Sequence, residues 1–288
     1  MRPIAGIVVT VLAMISLAAA DAAAKHLTLT FAIAQILWVR YLIYFFYGCV
    51  AATRDGGSAG FTRAGLGPQL LRGVTLVVAN LVVVYSFSRL PLADVHAVIA
   101  VAPLLVMAAS VFLLGERVVV GQWFAVAVGF VGILVILRPG AGVLNWVSLS
   151  PLLGAMLHAA YQVMTKWVSR FDRQGATQFY TGASGLLGFS ALLAFVPWQT
   201  PDAGQWLGLV GAGVLGTLAH MLIIKGLHLA PASTVQPYTY SMLVAATIFG
   251  YLFFDDIPDV PTIGGAVIVV SGGLYALACE KQRRQRVE

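Results

Sequence analysis

The sequence predicts an all-α integral membrane protein of ten transmembrane helices, arranged as two inverted five-helix repeats. Three observations predict this fold class: a composition with few charges, apolar runs of membrane-spanning length, and a second half that resembles the first. Of the 288 residues, 60% are hydrophobic and 10% are charged, whereas soluble domains carry roughly 25% charged residues. Too few polar residues remain to cover a water-facing surface, so we expect most of the chain to lie in a lipid bilayer.

Apolar runs of about 20 residues, the length that crosses about 30 Å of hydrocarbon, recur along the whole chain. They are separated by clusters of charge, proline and glycine. The first run follows Arg2 and could alternatively form a signal peptide, although a matching helix recurs later in the chain. The predicted helices are Ile4–Lys25, Thr30–Ala52, Pro68–Arg89, Ala93–Leu114, Val119–Leu137, Leu149–Arg170, Thr177–Val196, Gln205–His228, Thr234–Phe254 and Val260–Ala278.

The distribution of cations between alternate connectors predicts the orientation, because short cytoplasmic loops are enriched in Lys and Arg. We therefore expect a multi-pass protein of a bacterial-type inner (plasma) membrane with both termini cytoplasmic. This placement also explains the net charge of +6 without nucleic-acid binding. One side holds Arg2, Arg54, Arg63, Arg72, Arg117, Arg170, Arg173, Lys225, Lys281, Arg283, Arg284 and Arg286, whereas the other holds Lys25, Arg89 and Arg138.

The second half of the sequence aligns with the first after a shift of about 140 residues. The segment Ala18–Lys25, for example, aligns with Ala159–Lys166. An odd number of helices in each half requires the halves to insert with opposite orientation, as in secondary transporters. Chance similarity between Ala-rich and Gly-rich helices is the alternative explanation. The predicted units are a first five-helix repeat, residues 1–140, and a second repeat with a basic cytoplasmic tail, residues 141–288.

Polar residues follow one face of the sixth predicted helix at spacings of a helical repeat. Because polar groups are costly in contact with lipid, this face indicates a water-accessible cavity; hydrogen bonding between helices is the alternative. It contains His158, Tyr161, Gln162, Thr165, Lys166 and Ser169. The candidate cavity residues on other predicted helices are Trp38, Arg40, Asn80, His220, Tyr238 and Ser241.

Few charged residues lie inside the predicted helices. Arg40 lies deep in its helix, where it would either attract a substrate carboxylate or form a structural ion pair. Asp21 is a candidate residue for coupling transport to protons, although its spacing from Lys25 favours a local salt bridge. Proline removes a hydrogen bond within a helix, so Pro103 and Pro237 are candidate hinges.

The most specific motif is Leu-Pro-Leu-Ala-Asp-Val-His-Ala-Val-Ile-Ala-Val-Ala-Pro (Leu90–Pro103), followed by Leu-Leu-Gly-Glu-Arg (Leu113–Arg117). It resembles the fourth-helix motif of EamA-type members of the drug/metabolite transporter superfamily, and the likeness extends along nearly the whole chain. The second copy departs from it, since Met242 replaces the equivalent of Pro103. Among these transporters the sequence is most similar to YddG-type exporters of amino acids. The resemblance implies a monomeric carrier whose central cavity opens alternately to each side.

The expected function is export of small metabolites, most of all amino acids including aromatic ones, by alternating access from this cavity. The expected partners are a small-molecule substrate and the lipid bilayer, with no nucleic acid and no cofactor. The alternatives are an exporter of multiple drugs or cationic compounds, a channel, and a membrane enzyme. An enzyme is disfavoured because the sequence lacks HExxH and GxSxG motifs. Cys49 and Cys279 form no CxxC or Cys/His cluster, so no metal site is predicted.

Overall fold

The computed structural model describes residues 3–54, 65–114, 120–137, 146–168, 170–229 and 236–285. All regular secondary structure in these ranges is helical, which confirms the predicted all-α class. A 3-10 turn, Gln236–Tyr240, directly precedes α10. The helices are α1 (Pro3–Leu27), α2 (Ile33–Arg54), α3 (Leu66–Arg89), α4 (Leu92–Ile99), α5 (Ala102–Leu114), α6 (Val120–Leu137), α7 (Trp146–Val168), α8 (Gln174–Leu193), α9 (Ala203–Leu229), α10 (Ser241–Phe254) and α11 (Val260–Gln285).

Seven helical segments in the described ranges are long and apolar enough to cross a membrane, and a shorter apolar helix covers Tyr238–Phe254. Helices α7 and α8 have 23 and 20 residues, which is long enough to span, but they carry more polar side chains. Both contribute polar residues to an internal cavity, which explains their lower apolarity. The arrangement of ten spans as inverted repeats stays a prediction.

The fourth predicted helix is interrupted, because α4 ends at Ile99 and α5 begins at Ala102. Pro103 has no N–H to donate to the carbonyl of Ile99, four residues earlier, and so the regular hydrogen-bond pattern cannot continue across this point. Pro237 belongs to the 3-10 turn before α10, and its side chain lies outside the described residues. Hinge motion at the two prolines stays a prediction.

The most extensive helix contacts join helices that precede residue 140 to helices that follow it. Helix α1 packs along α9, α2 along α8, α3 along α7, and α6 along α11, while α4 contacts α10. Helices α6 and α11 otherwise contact mainly α4 and α5. Further contacts of α1 with α10, α2 with α9, α3 with α8 and α4 with α7 close α1–α4 and α7–α10 into a ring, in which neighbours come from different parts of the sequence.

The contact between α6 and α11 brings two backbones together at Gly132 and Gly265. A Cβ atom on Gly265 would lie 2.6 Å from the carbonyl oxygen of Gly132, and one on Gly132 would lie 2.8 Å from the carbonyl oxygen of Gly265. Small residues permit such close approach in membranes. The adjacent Gly264 has nothing within 4 Å of its Cβ position.

We expect Gly265→Ala to lower the thermal unfolding temperature of the detergent-purified protein by several degrees. An added methyl group in a closely packed contact costs about 1–3 kcal/mol. Gly264→Ala adds the same methyl group in open space and is the matched control, with no expected change. Equal unfolding temperatures for the two variants, measured by intrinsic fluorescence, would show that the α6–α11 crossing does not depend on this close approach.

Candidate functional site

The ring of helices encloses a cavity of about 230 Å³. Helices α1–α4 and α7–α10 all contribute to its wall, which combines apolar side chains with a few polar groups, as is typical of ligand sites. Its polar and aromatic lining consists of Asp21, Arg40, Tyr41, Tyr44, Asn80, His96, His158, Tyr161, Thr181, Thr217 and His220.

A buried ion pair lies in the cavity wall between α1 and α2. Nη1 of Arg40 lies 3.6 Å from Oδ1 of Asp21, while Nε2 of His96 lies 3.6 Å from the other carboxylate oxygen. Gly216 of α9 makes room for the guanidinium, because a Cβ atom there would lie 3.0 Å from Nε of Arg40. The carboxylate therefore has a different basic side chain beside each oxygen.

His96 presents an unsatisfied nitrogen to this site. Its side chain is buried, and Nε2 has no hydrogen-bond partner within the described part of the chain. The imidazole ring packs on Phe87, with the ring centroids 5.2 Å apart. Leaving a buried polar atom without a hydrogen bond is costly, and the carboxylate of Asp21, 3.6 Å away, is the charged group that faces Nε2.

Aromatic residues and one amide form the wall beside the ion pair. Nδ2 of Asn80 donates to the hydroxyl of Tyr41 at 2.8 Å. Nδ1 of His220 donates to the carbonyl oxygen of Gly216 at 2.9 Å, which leaves Nε2 as an acceptor in the neutral ring. The ring of Tyr44 meets that of His220 edge-on at 5.8 Å. These contacts fix the orientations of the side chains that form this part of the cavity wall.

Arg72 lies behind the cavity wall and was missed by the sequence reasoning, which counted it with the connector cations. Its side chain is fully buried on α3, where it donates to the hydroxyl of Tyr161 at 3.3 Å and to the carbonyl oxygen of Thr177 at 2.9 Å. Gln69, three residues earlier, accepts two further hydrogen bonds. Two polar residues at this spacing share a helix face, a signal that the charge count overlooked.

The structure brings Asp21, Arg40, Asn80, His158, Tyr161 and His220 together among the lining residues. The remaining predicted residues are not part of that lining. Trp38 donates from Nε1 to Oγ of Ser190 at 2.8 Å and packs edge-on against Trp198 at 5.8 Å.

On α7, the side chains of Gln162 and Lys166 are exposed, and Thr165 donates to the carbonyl oxygen of Tyr161 at 2.8 Å. Near the start of α10, Tyr238 is exposed and Ser241 donates to its carbonyl oxygen at 2.6 Å. Ser169 lies outside the described residues. Among the described residues of the predicted polar face, His158 and Tyr161 are the two that line the cavity.

The predicted local salt bridge between Asp21 and Lys25 does not form in the structure. Lys25 instead contacts residues that are distant in the sequence. Nζ of Lys25 pairs with Oδ2 of Asp256 and donates to the carbonyl oxygen of Leu90 at 3.1 Å. The same carboxylate oxygen accepts a hydrogen bond from the backbone N–H of Leu92 at 3.2 Å. These bonds join the end of α1 to the α3–α4 and α10–α11 connections.

Comparison with known proteins shows two consecutive matches to the EamA-like transporter family, over residues 4–138 and 145–277. A riboflavin transporter of Vibrio cholerae is 35% identical over 194 residues, which cover 66% of this chain and 64% of that protein. An S-adenosylmethionine uptake transporter of Rickettsia conorii is 28% identical over 76% of this chain and 74% of its own length. A pseudopaline exporter of Pseudomonas aeruginosa is 26% identical over 92% and 93%.

A solved crystal structure that covers 99% of both chains superposes with a TM-score of 0.67 at 19% identity, so the fold is shared. The relatives named above are transporters of riboflavin, S-adenosylmethionine and pseudopaline, and none of the three is named as an amino-acid exporter. The more specific likeness to YddG-type exporters therefore stays a prediction. This chain is a multi-pass membrane transporter and not an enzyme, and it belongs to the EamA-like transporter family.

Proposed function

We propose that this transporter carries a small polar metabolite with a planar ring across a bacterial inner membrane, as a monomer, by alternating access from the central cavity. The observation that carries the proposal is the combination of the Asp21–Arg40 ion pair, with His96 beside it, and an aromatic wall around the same cavity. Charged groups inside a membrane commonly mark a substrate pathway. Aromatic walls accept a ring, while the polar groups orient it.

The pairing of helices supports an inverted-repeat carrier with units 1–140 and 141–288. The shift that relates the halves maps α1 onto α7 and α3 onto α9, and the structure packs α1 on α9 and α3 on α7. Exchanging the halves converts one of these pairs into the other. The two family matches divide the chain at the same place. In such carriers the substrate binds near the middle of the membrane, where the repeats meet.

Riboflavin and S-adenosylmethionine, which are named for two of the relatives, contain heteroaromatic rings with hydrogen-bonding groups, and our first candidate is therefore a molecule of this kind. Amino-acid export is the second candidate, because Asp21 and Arg40 offer opposite charges to an ammonium and a carboxylate group. A cationic drug fits less well. Arg40 already lies beside the carboxylate that would attract it.

The test is transport by the purified protein in liposomes. Labelled riboflavin, S-adenosylmethionine, tryptophan and tetraphenylphosphonium are offered separately, with protein-free liposomes as the control. We expect riboflavin flux clearly above that of the control, and we expect it without an imposed pH gradient. Flux of tryptophan alone would favour the second candidate. Flux of the phosphonium alone, or of none of the four, would contradict the proposal.

A further inference from the structure

We propose that Arg72 is a positioning residue that holds Tyr161 in the cavity wall and thereby sets the affinity for the transported molecule. This inference rests on the proposed function insofar as it concerns affinity. Arg72 itself is not among the residues that line the cavity, whereas Tyr161 is. Arg72 therefore does not border the cavity itself, and we expect it to act on substrate binding through its contact with Tyr161.

The guanidinium of Arg72 is held from three helical segments. Nη1 lies 3.3 Å from the hydroxyl of Tyr161 and 3.4 Å from Oγ1 of Thr165 on α7. Nη2 donates at 2.9 Å to the carbonyl oxygen of Thr177 on α8. Nε and Nη2 both donate to Oε1 of Gln69 on α3, at 3.1 and 2.9 Å. Because the donors of an arginine form a rigid planar fork, these bonds determine the direction in which Nη1 points.

Burying the Arg72 cation without compensation would cost free energy. Gln69 connects it to an anion, the carboxylate of Asp172. Its Nε2 donates to Oδ2 of Asp172 at 2.6 Å, while its Oε1 accepts from Arg72. The amide therefore links a guanidinium to a carboxylate through consecutive hydrogen bonds, which strengthen one another. Asp172 is buried in the connection between α7 and α8, so this network ties that connection to α3.

Tyr161 receives both a hydrogen bond and a ring contact from Arg72. Cζ of Arg72 lies 5.4 Å from the centroid of the Tyr161 ring, within the range of a cation–π interaction. On its own helix, Tyr161 packs against His158 with the ring centroids 5.9 Å apart, and both rings line the cavity. A change in the Tyr161 orientation would alter the cavity wall at two adjacent residues.

The first test compares Arg72→Lys with Arg89→Lys. Arg89 is an exposed arginine of the same helix whose Cζ lies 5.8 Å from the ring of Tyr85, so it makes a similar contact away from the cavity. A lysine cannot reproduce the fork of hydrogen bonds. We expect Arg72→Lys to raise the KM for riboflavin uptake into liposomes about tenfold, the loss of roughly one charge-assisted hydrogen bond, with little change in the maximal rate. Arg89→Lys should change neither value.

Tyr161→Phe provides a second variant that keeps the arginine and the ring but removes the hydroxyl. If Arg72 acts through Tyr161, the KM increase in the Arg72→Lys/Tyr161→Phe double variant should be smaller than the product of the two single increases. Independent, multiplicative effects would overturn the coupling, as would a Tyr161→Phe variant with an unchanged KM. Because Tyr161→Phe removes only one hydroxyl group, its KM can still be measured if Arg72→Lys does not fold.

A spectroscopic measurement separates this inference from the proposed function. With 3-fluorotyrosine incorporated at position 161, we expect the ¹⁹F resonance of the purified protein to shift and broaden in Arg72→Lys and to stay unchanged in Arg89→Lys. An unchanged resonance in Arg72→Lys would overturn the positioning role even if transport is normal. A shifted resonance in a protein that transports none of the four compounds would instead contradict the proposed function and leave the placement of Tyr161 supported.

Discussion

Arg40→Gln should nearly abolish transport, with a decrease in initial flux of more than about tenfold, because it leaves the carboxylate of Asp21 buried without its ion-pair partner. Removing one partner of a buried pair costs about 3–5 kcal/mol. The side chains of Arg40 and Asp21 are only 15% and 10% exposed, so solvent screens this pair weakly. Liposome flux measures the loss of transport, and thermal unfolding of the purified variant measures the loss of stability.

The double variant Asp21→Asn/Arg40→Gln distinguishes a structural role of the pair from a role in transport. With both charges removed, we expect the unfolding temperature to recover most of its value, whereas transport should stay low because the charged groups of the cavity are gone. Arg89→Gln, which removes an exposed arginine, is the control for the loss of charge alone. Normal flux in Arg40→Gln would show that the ion pair has no part in the substrate pathway.

Asp256→Ala should open one end of the substrate pathway. Lys25 pairs with Asp256, bonds to the carbonyl oxygen of Leu90 at 3.1 Å and lies 4.6 Å from the ring centroid of Phe254. This one cation therefore connects α1 with the α3–α4 connection and with the end of α10. By the predicted orientation this is the outer end. Losing the pair should favour conformations that are open there, and the maximal transport rate should fall because the return to the closed state becomes less favourable.

Accessibility of a cavity cysteine measures this opening. In a protein with Cys49 and Cys279 replaced by serine and Asn80 replaced by cysteine, Asp256→Ala should raise the labelling rate by an external, membrane-impermeant thiol reagent about tenfold, which is equivalent to about 1.4 kcal/mol. The matched control is Asp255→Asn, since Asp255 has a left-handed backbone with φ 53° that asparagine tolerates.

The charge exchange Lys25→Asp/Asp256→Lys should restore part of the original protection from the thiol reagent. Its two side chains can form the same ion pair in the opposite direction, although the new lysine cannot make the bond to Leu90 from the same position. Equal labelling in the parent protein and in Asp256→Ala would rule out a closing role for the Lys25–Asp256 pair.

The sequence was sufficient to predict the helices and to select Pro103 as a candidate hinge, but not to predict that the helix is interrupted there. Apolarity and residue spacing are local properties, so the sixth predicted helix, Leu149–Arg170, corresponds closely to Trp146–Val168 in the structure. The fourth predicted helix, by contrast, divides into two before Pro103. A proline interior to a helix either bends or ends it, and the neighbouring helices decide between these outcomes.

Polarity within apolar segments was a useful criterion for the site, since it selected Asp21, Arg40 and four other residues that line the cavity. It could not identify their partners. Lys25 and Asp256 are separated by 231 positions in the chain, and the spacing rule considered only neighbours on one helix. Arg72 escaped notice because it lies near a helix end, where cations normally indicate orientation.

The pairing of helices from opposite parts of the chain has a consequence for biosynthesis. As the polypeptide leaves the ribosome and enters the membrane, α1, α2 and α3 lack their packing partners. These partners, α9, α8 and α7, have not yet been translated. The close-contact surface of α6 is the last to be matched, because its partner α11 is the last helix of the described chain. The helix packing described here can therefore be completed only after α11 has been translated.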